Sequence, residues 1–170
     1  MTKWDETELL RHISDGIEES SELEYKGAGA LSPQNPDNKE ITKDVSAMAN
    51  SAGGVIIYGM REFQKPNNHL PEIIEPIDRT AFSKERLEHI INTIRPPLSE
   101  FKIVPINLTS GSNDVSYVVE VPQGRTAHQC RDNRYYRRYN FEAVPMADYE
   151  IRLVMNRAII PDVSLASRPG

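Results

Sequence analysis

The sequence predicts an α+β fold, a mixed β-sheet with flanking helices, and three stretches carry that prediction. Leu23 and Tyr25 alternate with Glu22, Glu24 and Lys26, which is the period of a half-buried strand. Ile41, Val45, Met48 and Ala52 then recur at helical spacing up to the stop Gly53-Gly54, and Val55-Ile-Ile-Tyr58 is a β-branched and aromatic run that closes at Gly59. Strand, helix and strand make a βαβ-sized unit, the crossover that parallel pairing requires. Further on, residues 101–108 and 115–121 read as two strands around the turn Gly111-Ser-Asn-Asp114, an antiparallel hairpin.

Taken in order, Asp5 is placed to cap a first helix, with Glu8 three residues on as in a capping box. Leu9, Leu10 and Ile13 give that helix an apolar stripe as far as Gly16. Residues 19–26 are the first strand with its lead-in, and residues 27–38 are a polar turn-forming loop without periodicity. A helix over 39–52 and a strand over 54–59 follow. Residues 61–78 hold several prolines and few periodic apolar residues, and read as a long excursion with a short strand near Ile73-Ile74. Ser83 is placed to cap a helix with the apolar face Leu87, Ile90, Ile91 and Ile94, which Pro96-Pro97 ends. After the hairpin, Arg134-Tyr-Tyr-Arg-Arg-Tyr139 reads as an aromatic-rich strand, and Tyr149, Ile151, Leu153 and Val154 mark a last helix over 146–155. Residues 161–170 are polar and read as a linker. The chain thus divides into an N-terminal helix over 1–16, a domain over 17–157 and a tail over 158–170.

The 170 residues fit one domain with apolar content enough for a core. The lone Cys130 excludes an intramolecular disulfide framework and suits a reducing cytosol, so a cytoplasmic protein is expected. The N-terminus has no signal-peptide pattern, and no window approaches a membrane span of apolar residues. The net charge of −5 argues against indiscriminate nucleic-acid binding. Its distribution is uneven. Asp5, Glu6, Glu8, Asp15, Glu18, Glu19, Glu22 and Glu24 crowd the first residues, while Arg125, Arg131, Arg134, Arg137 and Arg138 crowd a later segment. Folded together, a carboxylate cluster and an arginine cluster would suit a phosphate-handling site; folded apart, they are two solvated faces.

Arg131, Arg134, Arg137 and Arg138 interleave with Tyr135, Tyr136 and Tyr139. Guanidinium groups for phosphates and aromatic faces for bases are what single-stranded or looped RNA requires. Alternation puts Arg134, Tyr136 and Arg138 on one strand face and Tyr135, Arg137 and Tyr139 on the other, so about half of the set is structural. His128 and Arg125 lie beside this segment as further phosphate contacts, whereas His12, His69 and His89 read as surface or helix residues. Other chemistries are poorly supported. There is no P-loop, Gly27-Ala-Gly-Ala lacks the dinucleotide spacing, Cys130 has no zinc partner, and Ser46 and Ser51 have no evident histidine partner.

The series Glu19-Ser-x-x-x-Glu24-Tyr-Lys26, then Ser46-Ala-Met-Ala-Asn-Ser-x-Gly-Gly54, then an apolar run closing in glycine, resembles the AlbA-like domain of the Schlafen family. Pro122-Gln-Gly, His128 and the Tyr-Tyr-Arg-Arg segment fall where that domain places its later strands, so the resemblance covers roughly residues 17–157. It implies an α+β nucleic-acid-binding domain that, in several members, is a metal-dependent endoribonuclease cutting tRNA and rRNA with three carboxylates. Those carboxylates fall on Glu19, Glu24 and Glu62, the last standing where the family more often has aspartate. Many prokaryotic relatives are DNA- or ATP-binding regulators instead, so membership alone does not establish catalysis.

A phosphodiester-cleaving site must neutralise charge on the phosphoryl oxygens and activate a nucleophile, and Mg²⁺ or Mn²⁺ held by carboxylates does both. Glu19 and Glu24 are five residues apart and would face opposite sides of one regular strand, so Glu19 belongs on the turn before it or on a bulge. Glu24 shares its parity with Glu22 and Lys26, which would place Lys26 to touch a phosphate oxygen. The same three residues could equally be the wet side of an edge strand. Two functions follow: a Schlafen-like nuclease acting on tRNA-like or other RNA, or a non-catalytic DNA-, RNA- or nucleotide-binding module of a larger protein. A third, weaker reading is an interaction domain in a defence or regulatory complex. A homodimer suits so small a domain if it encloses a folded RNA.

Overall fold

The computed structural model describes residues 3–34 and 38–158. Helix α1 (Glu6–Ser14) begins at Asp5, whose carboxylate accepts the Glu8 N–H at 2.8 Å, and ends at Gly16 in the left-handed region at φ 59°. Strand β1 (Leu23–Lys26) and a 3₁₀ turn (Ala28–Leu31) lead to helix α2 (Lys39–Asn50) and strand β2 (Gly54–Tyr58). Strands β3 (Met60–Glu62), β4 (Pro71–Ile74) and β5 (Ile77–Asp78) come next. Helix α3 (Lys84–Ile91) is capped by the Ser83 hydroxyl, which accepts the Arg86 N–H at 3.1 Å. Strands β6 (Lys102–Asn107), β7 (Asp114–Val121), β8 (Tyr136–Tyr139) and β9 (Glu142–Pro145) precede helix α4 (Asp148–Met155) and a 3₁₀ turn (Asn156–Ala158).

β1 and β2 pair in parallel from Leu23 opposite Val55 to Lys26 opposite Tyr58, with α2 as the crossover. β2 continues antiparallel to β7, β6 closes the expected hairpin with β7, and β5 extends the sheet at Ile77 opposite Val115. The sheet is therefore mixed. Both faces are covered, and alternate residues of the central strands feed two separate cores. Ile56, Tyr58, Tyr117, Val119 and Val121 pack with Val45 and Met48 of α2 and Leu87 and Ile91 of α3. Ile57, Val118, Tyr25 and Ile106 pack with Leu9 of α1. Each fully buried aliphatic side chain contributes about 1.5–3 kcal/mol, so neither helix layer is dispensable. Gly53, at φ 81°, turns the chain from α2 into β2 so tightly that a Cβ there would stand 2.7 Å from the Val121 carbonyl oxygen.

Three expectations change. Ala52 lies beyond α2, which stops at Asn50. The 61–78 excursion is ordered as a β3–β4 hairpin followed by β5, strands of four residues or fewer that periodicity does not resolve. The aromatic strand is paired with a further short one, β9. Residues 159–170, which include the expected linker, lie outside the described residues. No helix among the described residues is long and apolar enough to cross a membrane.

Candidate metal centre and nucleic-acid interface

Glu19 lies before β1, on a turn closed by the Ser20–Leu23 bridge, as its parity with Glu24 requires. Its side chain is 3% exposed. Oε1 accepts the Tyr25 N–H at 2.9 Å, and Oε2 is 2.8 Å from His69 Nδ1. The β3–β4 hairpin brings in the other members. Its register shifts between Arg61 and Glu62, and the Glu62 carboxylate accepts the His69 N–H at 2.9 Å and stands 4.0 Å from His69 Nδ1. Each of Glu19, Glu62 and His69 offers a ligand atom, and these atoms lie within 4.8 Å of one another. His69 is held at a positive φ of 83°, and its ring lies flat on Phe141 with centroids 3.9 Å apart. Burial pushes the Glu19 carboxyl up to about 7; the Tyr25 and His69 hydrogen bonds oppose that rise and Glu62 adds to it. Here a buried carboxylate stands beside a second carboxylate, and among the described residues neither pairs with a lysine or arginine.

His69 is the member that the sequence did not indicate. It sits in a loop without periodicity, and only the hairpin pairing of β3 with β4 reveals its place beside Glu62. His12, read as another surface or helix residue, is buried in α1 with Nδ1 2.9 Å from the Tyr25 hydroxyl. His89 is exposed on α3.

Glu24 takes a different place. Its face of β1 is not wet, because α2 and β8 cover it, and the expected solvent-facing row of Glu22, Glu24 and Lys26 is corrected accordingly. Glu22 is exposed, but Glu24 is buried, with Oε2 2.8 Å from Arg138 and Oε1 3.1 Å from Lys26. Lys26 also reaches Asp44 of α2 at 3.4 Å. Two carboxyl groups and two cations thus gather beneath the helix. Burial, then repulsion from Glu24, raises the Asp44 carboxyl, against the pull of Lys26. Burial works against the Lys26 charge, yet Asp44 and Glu24 hold its ammonium above the ordinary lysine range. Glu24 is not one of the group whose ligand atoms converge around His69.

The arginine strand keeps its predicted parity. Tyr136 and Arg138 point inward and are buried, while Arg137 and Tyr139 point outward. Arg137 pairs with Glu150 of α4, and Arg138 also donates to the Ser20 carbonyl at 3.0 Å. Arg131 and Arg134 are exposed and form no ion pair among the described residues. Arg125 is exposed on a cleft of about 270 Å³ that His128, Pro96 and Thr126 also line. His128 itself is buried, with Nδ1 2.7 Å from the Pro96 carbonyl and its N–H given to Asn50 Oδ1 at 2.7 Å. Asn50 donates in turn to the carbonyls of His128 and Tyr136 at 2.9 and 2.8 Å, and the Ser51 hydroxyl accepts the Arg138 N–H at 2.9 Å. The Asn-Ser pair ending α2 is therefore a clamp that positions β8 over the helix.

No curated protein matches the chain. Among solved structures, it is similar in fold to the DIP2311 protein from Corynebacterium diphtheriae, with a TM-score of 0.51, 14% identity and coverage of 80% of this chain. The chain spans 27% of the length of that protein. The family model described as Schlafen, AlbA_2 matches residues 19–147. This match opens on Glu19, takes in the βαβ unit and the β3–β4, β6–β7 and β8–β9 hairpins, and closes after β9; over that span the chain belongs to the Schlafen AlbA_2 family.

Proposed function

We propose that this domain binds RNA and cleaves it as a divalent-metal-dependent endoribonuclease, with Glu19, Glu62 and His69 holding the cation. Family membership supports a nucleic-acid-related role. The observation that carries the catalytic reading is the convergence of the three ligand atoms within 4.8 Å. The donor set fits a divalent ion: two carboxylates, one of them driven toward its protonated form by burial and by the other, lie beside an imidazole. Two oxygens and one nitrogen suit Mn²⁺ better than Mg²⁺, which prefers oxygen alone. When bound, the cation supplies charge neutralisation at the phosphoryl oxygens and activation of a nucleophile. The chain's own groups do the rest. The Tyr25 and His69 N–H groups aim the two carboxylates, Phe141 fixes the imidazole plane, and exposed Arg125, Arg131 and Arg134 take backbone phosphates of a tRNA-like or other structured RNA. Glu24, the third carboxylate of the family pattern, holds Lys26 and Arg138 in place.

A second reading, a non-catalytic nucleic-acid-binding module of a larger protein, is favoured by that same engagement of Glu24, which leaves two carboxylates rather than three at His69. Incubation with bulk tRNA in Mn²⁺, Mg²⁺ or chelator, beside Glu62→Gln, separates the two. The nuclease gives discrete fragments that vanish with chelator and fall by about 100-fold or more in the variant, because several kcal/mol of charge stabilisation is lost, while binding persists. Intact tRNA in every condition, with a gel shift that weakens as salt rises, selects the binding module.

A further inference from the structure

Because Phe141 lies flat on His69, with 14° between the ring planes, the β8–β9 turn stands at the rim of the candidate cation site. The turn is tight. Tyr139 pairs with Glu142 across it, and Asn140 sits in the left-handed region at φ 55°, which asparagine tolerates better than most residues. Tyr139 is 59% exposed, and the Arg137 guanidinium lies over its ring, with the guanidinium carbon 5.5 Å from the ring centroid. Arg137 is anchored in turn by Glu150. One side of the Tyr139 ring is thus braced by a fixed cation, and much of the ring is open to solvent. Single exposed aromatic residues are ordinary on protein surfaces. What distinguishes this one is its place: two residues of chain, at most about 7 Å, separate it from Phe141. It also ends the strand that follows the exposed Arg131 and Arg134.

We propose that Tyr139 is a stacking platform for the base of an unpaired nucleotide next to the phosphate taken by the Glu19–Glu62–His69 site. The substrate class is then single-stranded or looped RNA rather than continuous duplex. This rests on the reading of that site as the place of cleavage. A base inside an A-form helix is already stacked on its neighbours and does not reach the ring, whereas a splayed base offers a free π-face. Every base has such a face, so the platform selects unpaired over paired nucleotides and discriminates little among bases. Arg137, held against the ring by its pairing with Glu150, strengthens the stack.

The test is binding of a labelled oligouridine and of an RNA duplex of equal length, both in chelator so that no cation is involved. Tyr139→Ala loses about 5- to 150-fold in affinity for the single strand, the equivalent of about 1–3 kcal/mol for one stacked base. Tyr139→Phe keeps wild-type affinity, duplex binding is unchanged in both variants, and the salt dependence of Tyr139→Ala stays that of the wild type because no charge is removed. Wild-type affinity in Tyr139→Ala, equal losses for single strand and duplex, or an equal loss in Tyr139→Phe overturns the platform. Cleavage of tRNA by the wild type with Mn²⁺, run in parallel, reads the cation site separately. Cleavage with no Tyr139 effect rejects the platform alone, and a Tyr139 effect without cleavage supports the platform and rejects the catalytic reading.

Discussion

Arg138 and Glu24 were both visible in the sequence as site residues, but for separate duties: one as a phosphate contact, the other as a metal ligand. In the fold they meet at 2.8 Å from positions 114 apart, and the Arg138 side chain is 1% exposed. Pairing of that range leaves no trace in local periodicity, so the sequence presents each residue singly. A buried pair of this kind is costly to break: Glu24 would keep Lys26 on Oε1, but its buried Oε2 would lose its cation. Arg138→Met is expected to lower stability by about 3–5 kcal/mol, read as the shift of the urea midpoint at constant slope. Combining it with Glu24→Leu recovers most of that loss, since no buried charge is then stranded. If the single variant matched the wild type, the pair would contribute little to the fold. His69 shows the opposite failure: nothing within several residues of it announces a ligand, because its place depends on a hairpin of two very short strands.

At the scale of elements, α2 organises the molecule. Its apolar stripe was legible from spacing alone, and the parallel β1–β2 pair followed from it. Less legible was that its other residues are buried as well: Thr42, Asp44, Ser46 and Asn50 are all 4% exposed or less. A helix covered on more than one side reads locally as amphipathic when polar partners satisfy its second face. Asp44 carries a consequence for pH. Its ordinary value is 3.8 and burial raises it to about 7, so the folded protein keeps a proton that the unfolded chain has released. The associated stability is full below about pH 4 and is lost as pH rises through about 7. The melting temperature in chelator is therefore expected to fall across that window, and Asp44→Asn to flatten the fall. A remainder persists, because Glu19 titrates in the same direction. An Asp44→Asn variant whose melting temperature ran parallel to that of the wild type across the window would contradict the assignment.

At the scale of the whole molecule, a net charge of −5 and the proposed RNA binding are reconciled by placement. Lys26, Arg137 and Arg138 are spent on internal carboxylates, which leaves Arg125, Arg131 and Arg134 as the exposed cations of the predicted set. Few phosphate contacts imply a shallow salt dependence. For a single strand each contact adds about 0.7 to the slope of log K against log salt, so Arg131→Ala with Arg134→Ala lowers the slope by about 1.4 and weakens all sequences alike. An unchanged slope would move the RNA path elsewhere. One contact also bears on where this module ends. Arg157, ten residues past the family match, donates to the carbonyls of Ala49, Asn50 and Gly124 and so closes the C-terminal end of α2. A chain trimmed at the match boundary would leave those carbonyls without that guanidinium, and the fraying would begin at the Asn50 clamp. The heritable unit is thus longer than its recognisable signature: recombination that respected only the signature would transplant a helix with an open end.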